Sequence, residues 1–107
     1  MISSNFLVNA DGKLLGFHIK GHSGIGFFGN DIVCAAVSSA AFMVVNTITD
    51  VLNADANVSV LEDGEMTFKI DYKYVDLCRD IMEGFKLHMK GLEEQYPENI
   101  KVNYVEV

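Results

Sequence analysis

Residues 21–38 read GHSGIGFFGNDIVCAAVS, and the second half of this stretch predicts the start of the first long helix. A glycine-bearing loop leads to Asn30 and Asp31, and an apolar run follows, so Asp31 is the predicted N-cap. On that assignment Cys34 is the third helical residue, among backbone N–H groups that no carbonyl satisfies. Such groups favour negative charge and hence the reactive thiolate. His22 is a natural base for it, so the stretch predicts a nucleophilic cysteine.

Alternating apolar and polar residues predict strands on both sides of this helix. A turn at Asp11-Gly12 joins the first two, and a turn at 62–65 joins the next two. The predicted strands are Asn5 to Val8, Leu15 to Ile19, Val58 to Val60, Met66 to Tyr72 and Ile100 to Tyr104. Hairpins pair strands antiparallel, so the predicted class is α+β. We expect two layers, a mostly antiparallel sheet with two helices packed on one face, in the order β-β-α-β-β-α-β.

Two helices complete the predicted layer. The first runs from Asp31 to about Leu52, and apolar residues at three- and four-residue spacing predict its buried stripe, which ends at Val51. The second runs from about Tyr74 to Tyr96, with an inward stripe of Leu77, Ile81, Phe85, Met89 and Leu92. Cys78 lies beside that stripe and is interpreted as a small buried hydrophobe. His18 is predicted to lie on the polar face of its strand.

Length and charge restrict the possible functions. The 107 residues allow one domain, 1–107, and half of them are hydrophobic, so no disulfide or metal is needed for folding. A net charge of −7 argues against direct nucleic-acid binding and suits a basic partner.

No secretory signal is recognised and the run Ile32 to Val45 is too short to span a membrane, which predicts a cytoplasmic location with no membrane partner. No metal-ligand or nucleotide-binding spacing is present, so no cofactor is expected.

The stretch also resembles a known family. The pair Gly21-His22, followed by Gly29-x-Asp31-Ile32-Val33-Cys34-Ala35-Ala36-Val37-Ser38, is similar to the motif of the bacterial ribosomal-processing cysteine proteases, the Prp family. The resemblance implies a cysteine endopeptidase that removes a short N-terminal extension from a large-subunit ribosomal protein. It also implies a homodimer. Cleavage is implied to follow an aromatic-rich segment that precedes basic residues.

The resemblance assigns roles to individual residues. Cys34 is the implied nucleophile and His22 its base, with Asp31 and Ser38 supporting the site. The loop Ser23 to Asn30 is implied to order over the substrate. Its residues Ser23, Gly24, Phe27, Phe28 and Gly29, together with Gly21, are the candidate supporting or substrate-binding positions. Backbone N–H groups of Ile32 to Cys34 are a candidate oxyanion site.

Several of these functional roles have a purely structural alternative. Cys34 is also explained as a core cysteine, Ser38 as a small residue chosen for packing, and Phe27 and Phe28 as residues that pack the loop down. Asp31 either caps the helix or orients His22, and the position favours the cap. Two other function classes stay open. One is a non-catalytic ribosome-associated module that binds a peptide; the other is a different thiol enzyme, such as an amidase or a redox-sensing thiol.

Overall fold

A five-stranded sheet with two helices forms the fold. The computed structural model describes the backbone of residues 1–21, 28–61 and 64–107, and the side chains of these ranges except residues 28–31. The strands are β1 Ile2–Val8, β2 Leu14–Lys20, β3 Ala56–Val60, β4 Met66–Ile70 and β5 Ile100–Glu106. The helices are α1 Phe28–Asn46 and α2 Arg79–Gln95. The predicted element order is confirmed.

The strands lie in the order β3-β4-β2-β1-β5. The pairs β1·β2, β2·β4 and β3·β4 are antiparallel, and β1·β5 is parallel. Both hairpin turns use a glycine in the left-handed region, Gly12 at φ 80° and Gly64 at φ 89°, as the turn chemistry requires. The mostly antiparallel sheet is therefore confirmed, and its one parallel pair arises because α2 carries the chain back across the sheet before β5.

One face of the sheet carries the core. Phe6, Phe17 and Phe68 lie side by side on β1, β2 and β4 and are fully buried. Phe85 of α2 packs onto them, with ring centroids 5.6 Å from Phe6 and 4.9 Å from Phe17. Buried residues of α1 join the same cluster: Val33, Val37, Ala41, Val44 and Val45. Ile48, in the turn that follows the helix, joins it too. Both helices thus cover one face, as predicted.

The end of α1 differs from the prediction. The α-helix stops at Asn46 and a π-helical turn follows over Thr47–Val51, closed by a bond from the Leu52 N–H to the Thr47 carbonyl at 2.8 Å. A π turn adds a residue to the repeat and rotates later side chains out of phase. Val51, predicted to end the buried stripe, is therefore exposed. That part of the predicted stripe is wrong.

The second helix begins later than predicted. Residues 72–74 form a 3₁₀ turn, with the Asp71 side chain accepting a bond from the Lys73 N–H, and α2 starts only at Arg79. Leu77 precedes the helix and is exposed, so its predicted inward position is wrong. The buried residues of α2 are Met82, Phe85, Met89 and Leu92. Cys78 is buried directly before the helix, as expected of a small hydrophobe.

The apolar character of α1 exceeds what the prediction allowed. Ile32–Val51 spans 20 residues and is long and apolar enough, by length and composition alone, to cross a membrane. The run Ile32 to Val45, which the sequence analysis judged too short, ends before this apolar segment does. Its stripe of buried valines packs on the sheet, and such packing explains the apolarity of a core helix. The remaining apolar side chains, Ile32, Phe42 and Met43, are exposed on its outer surface.

Ser4 provides a test of the core. It lies on the buried face of β1, and its hydroxyl oxygen has no hydrogen-bond partner among the described residues. An unpaired buried hydroxyl carries its desolvation cost without compensation. Ser4→Ala is therefore expected to raise the free energy of unfolding by about 1 kcal/mol in urea titrations. Ser3→Ala, on the opposite face, is the control and should change it by less than about 0.5 kcal/mol. Destabilisation by Ser4→Ala would show that the hydroxyl is bonded.

Candidate active site

Cys34 lies at a small cavity where four elements of the fold meet. Its half-buried side chain faces the ends of β1 and β2, and the turn between β3 and β4 closes the opposite side. The cavity measures about 110 Å³ and is lined by Ile2, Ile19, Gly21, Cys34, Val37, Ser38 and Gly64. The arrangement places one half-buried thiol in a recess that it shares with apolar side chains, two glycines and Ser38.

The packing of α1 determines which side chains reach this recess. Val33 and Val37 are buried against the sheet and fix the rotation of the helix. Cys34 is the next residue round from Val33, and Ser38 follows one turn later on the same side. Both line the cavity. The structure therefore brings together Cys34 and Ser38, two of the residues singled out in the sequence.

Gly21 brings the end of β2 close to the start of β1. Its φ is 95°, and a Cβ at this position would lie 2.3 Å from the Met1 carbonyl oxygen. No side chain fits there without moving backbone, so glycine is required on two counts. Gly21 itself lines the cavity, and it directly precedes His22 in the sequence.

The start of α1 corrects the interpretation of Asp31 as N-cap. The helix begins at Phe28, so Asp31 falls in its first turn and Cys34 is the seventh helical residue. The unsatisfied N–H groups of a helix belong to its first four residues, and the effect of its dipole falls off within the first turn. Helix-start stabilisation of the thiolate is therefore wrong for this geometry. The same holds for the oxyanion site predicted at Ile32 to Cys34.

The other predicted site residues fall at the edge of, or outside, the described part of the chain. His22, Ser23, Gly24 and Phe27 lie outside the described residues. Phe28, Gly29 and Asp31 contribute backbone to the first turn of α1, and their side chains lie outside the description. The predicted loop Ser23 to Asn30 is thus too long, because its last three residues are helical.

The chain matches a known protein family along most of its length. The sequence profile described as "Cysteine protease Prp" matches residues 1–101. This chain belongs to the cysteine protease Prp family. A relative from Staphylococcus aureus (strain Mu50 / ATCC 700699), named "Ribosomal processing cysteine protease Prp", is 31% identical over 108 residues, covering 97% of this chain and 99% of the relative.

Solved structures agree with the assignment to the Prp family. A crystal structure of an essential ribosomal processing protease Prp from S. aureus, in complex with a covalently linked product peptide, superposes with a TM-score of 0.87 at 29% identity. It covers 98% of this chain and 100% of that chain. The S. aureus protease in complex with a substrate peptide gives a TM-score of 0.87 at 28% identity, with the same coverage. The chain is accordingly a cysteine protease with the α+β fold of the Prp family.

The second cysteine of this Prp-family chain sits in a different environment. Cys78 is fully buried, and burial raises the pKa of its thiol because the charged form is desolvated. A thiol held neutral and away from solvent is a poor nucleophile. Neither cysteine is in a disulfide. Within the described residues, no group of three or more His, Cys, Asp or Glu side chains lies close enough to hold a metal ion.

The turn between β3 and β4 is a part of the site that the sequence did not reveal. Gly64 lines the Cys34 cavity, and the adjacent Glu65 lies 3.0 Å from His18 (Oε1 to Nε2). His18 does lie on the polar face, as predicted, but it is half-buried and paired rather than an ordinary surface residue. The contact between Glu65 and His18 depends on the pairing of β2 with β4, which no local pattern in the sequence specifies.

Size alone would point to another recess of this Prp-family fold. A groove of about 580 Å³ runs between α1 and α2, lined by Ala36, Ser39, Ala40, Met43, Val44, Ile81, Gly84, Phe85 and His88. It holds His88 and Ser39 but no cysteine, so it offers no thiol for the reaction of a cysteine protease. The chemistry of the family therefore selects the smaller cavity beside Cys34.

Proposed function

We propose that this chain removes a short N-terminal extension from a large-subunit ribosomal protein, with Cys34 as nucleophile and His22 as general base and acid. The observation that carries the proposal is the half-buried Cys34 in a recess that also holds Gly21, the residue before His22. Membership of the Prp family supplies the reaction class. The substrate class comes from relatives named as ribosomal processing proteases.

The chemistry requires two steps at one thiol. The Cys34 thiolate attacks the scissile carbonyl while His22 holds the thiol proton, and the C–N bond breaks as His22 passes that proton to the leaving amine. The product is a thioester on Cys34 and a shortened ribosomal protein. Water then attacks the thioester, His22 takes its proton, and the extension leaves as a carboxylic acid. Half-burial suits both steps, because the sulfur is reachable by a peptide yet partly shielded from solvent.

The remaining site residues receive supporting roles in the same proposal. Ser38 lies one helical turn beyond Cys34 in the same cavity and contacts the bound peptide. Gly21, Ser23, Gly24, Phe27, Phe28 and Gly29 form the peptide-covering segment, and Asp31 supports it from the first turn of α1. A net charge of −7 steers the basic residues that follow the cleavage point towards the protein. The proposed location is the cytoplasm, where ribosomal proteins assemble, and residues 1–107 act as one domain.

A cleavage assay tests the substrate. The purified chain is incubated with an N-terminal peptide of the large-subunit ribosomal protein from its own host, and the products are weighed by mass spectrometry. One discrete cut between an aromatic-rich segment and the basic residues is expected. A peptide that binds but stays intact would overturn the proposal in favour of a non-catalytic binding module. Turnover of small amides with no cut in the peptide would indicate a different thiol enzyme.

We also propose that two copies of the chain associate through the outer surface of α1. Ile32, Phe42 and Met43 are exposed there and extend the apolar character of α1 beyond the stripe that packs on the sheet, and Met43 also lines the apolar groove between the helices. Large apolar side chains left exposed on one helix favour a protein–protein contact. A second copy is the proposed occupant because a two-fold axis lets one self-complementary patch cover itself.

Sedimentation velocity tests the dimer. The wild-type chain is expected to sediment with twice the monomer mass, and Phe42→Glu is expected to shift it to the monomer because a charge would be buried at the contact. Val105→Glu is the matched control: it places the same charge on an exposed valine of β5, on the opposite face of the sheet, and should leave the dimer intact. A monomeric wild type, or a dimer that persists in Phe42→Glu, would exclude this surface.

A further inference from the structure

The wall of the Cys34 cavity opposite the helix is a hairpin turn. Gly64 contributes to this wall from the turn between β3 and β4. The turn is closed by two backbone bonds: the Leu61 N–H donates to the Glu65 carbonyl at 2.8 Å, and the Gly64 N–H donates to the Leu61 carbonyl at 2.9 Å. Leu61 and Gly64 are both exposed and β3 is an edge strand, so local opening here costs less free energy than opening in the core.

One side-chain pair joins this turn to the centre of the sheet. The Glu65 carboxylate oxygen Oε1 lies 3.0 Å from Nε2 of His18, and both side chains are largely shielded, with 27% and 29% of their surfaces exposed. His18 belongs to β2, directly beside Thr67 of β4. The hydrogen bond therefore spans from the base of the turn to the strand that runs on into Gly21 and His22.

His18 is itself held by its neighbours. The Asn5 side-chain amide donates to the His18 carbonyl at 3.2 Å, and the Asn103 amide donates to the Asn5 side-chain oxygen at 3.1 Å. These bonds run across β5, β1 and β2 on the face of the sheet away from the core. The imidazole thus stands on a backbone that three strands hold in place, while its partner Glu65 lies at the base of the hairpin turn, next to Gly64.

We propose that His18 and Glu65 are a positioning pair that holds the β3–β4 turn in the wall of the Cys34 cavity, so that a peptide substrate meets a preformed wall. The pair acts through Gly64 and the backbone of the turn and has no part in bond breaking. Its effect on peptide cleavage rests on the proposed function of Cys34. A site wall that shifts by about 1 Å is enough to change turnover or binding substantially.

Steady-state kinetics of peptide cleavage provide the first test. His18→Ala and Glu65→Ala are each expected to lower kcat/KM by about 10-fold, mainly through KM, because the wall and not the nucleophile is displaced. The double variant should lose no more than Glu65→Ala alone, since each single substitution already removes the same His18–Glu65 bond. Glu65→Gln keeps an oxygen acceptor for the imidazole N–H and should stay within about 2-fold of wild type.

A matched control pair lies elsewhere in the molecule. Lys13 Nζ and Asp76 Oδ1 form an ion pair of 2.9 Å beside the turn between β1 and β2, and neither residue lines the Cys34 cavity. Lys13→Ala and Asp76→Ala should leave KM within about 2-fold of wild type, as expected for an exposed pair. Losses that are additive in the double variant His18→Ala/Glu65→Ala, or carried by kcat alone, would overturn the proposal.

Hydrogen exchange separates the positioning role from the proposed function. The Leu61 and Gly64 amides are expected to exchange about 10-fold faster in Glu65→Ala than in Glu65→Gln, with unchanged exchange in β1 and β2. If the wild-type chain cleaves no ribosomal peptide, the proposed function fails and this measurement decides the pair alone. Faster exchange confined to the turn would then support the positioning role, and unchanged exchange would overturn it.

Discussion

Cys34→Ala is expected to lower kcat/KM for the ribosomal peptide by at least about 1,000-fold, because it removes the only atom proposed to form the thioester. Peptide binding should survive, since the alanine still fits among Val37, Ser38 and Gly64 in the wall of the cavity. The measurement pairs mass-spectrometric cleavage rates with peptide affinity from fluorescence anisotropy. A cut that persists in Cys34→Ala would exclude this residue as the nucleophile.

Cys78→Ala is the matched control for that result. It removes the other thiol of the chain, which is fully buried and whose pKa is raised by desolvation. The variant is expected to lose about 1 kcal/mol of stability through the small cavity it leaves, while its cleavage rate per folded molecule stays within about 2-fold of wild type. Equal loss of activity in folded Cys34→Ala and folded Cys78→Ala would contradict the assignment of the nucleophile to the more exposed of the two thiols.

Phe17→Ala is expected to be the most damaging core substitution, at a cost of about 3–5 kcal/mol in the free energy of unfolding. Phe17 is on β2, the middle strand of the sheet, with none of its surface exposed. Its ring lies 5.3 Å from that of Phe68 and 4.9 Å from that of Phe85, so truncation removes contacts with both layers. A small domain has a total stability of about 5–15 kcal/mol, so a large unfolded fraction is expected at 37 °C.

Urea titration at 25 °C followed by circular dichroism measures this loss. Tyr72→Ala is the control, because Tyr72 is also a large aromatic residue but has 61% of its surface exposed and lies outside the proposed dimer surface. It should change the free energy of unfolding by less than about 1 kcal/mol at the same protein concentration. Equal losses in the two variants would contradict the assignment of the core to the helix-covered face.

Local patterns predicted the elements of this chain well where a single period or turn residue decided the outcome. Alternation in 66–70 and in 15–19 identified β4 and β2, and Asp11-Gly12 identified the first hairpin turn. They failed where two local signals competed. Asp31 has the side chain of an N-cap, yet α1 begins at Phe28 and Asp31 falls in its first turn, where a negative charge is also favourable to the helix dipole. No local pattern in the sequence predicted the π turn that follows Asn46.

The sequence by itself determined the family and the element order and predicted Cys34 as the reactive thiol, because each depends on residues close together in the chain. Only the tertiary structure decided what surrounds that thiol. Ile2, Ile19 and Gly64 reach the Cys34 cavity from three separate strands or turns, and Glu65 meets His18 across 47 positions of chain. Strand order, register and helix rotation set these contacts, and all three follow from packing the whole core at once.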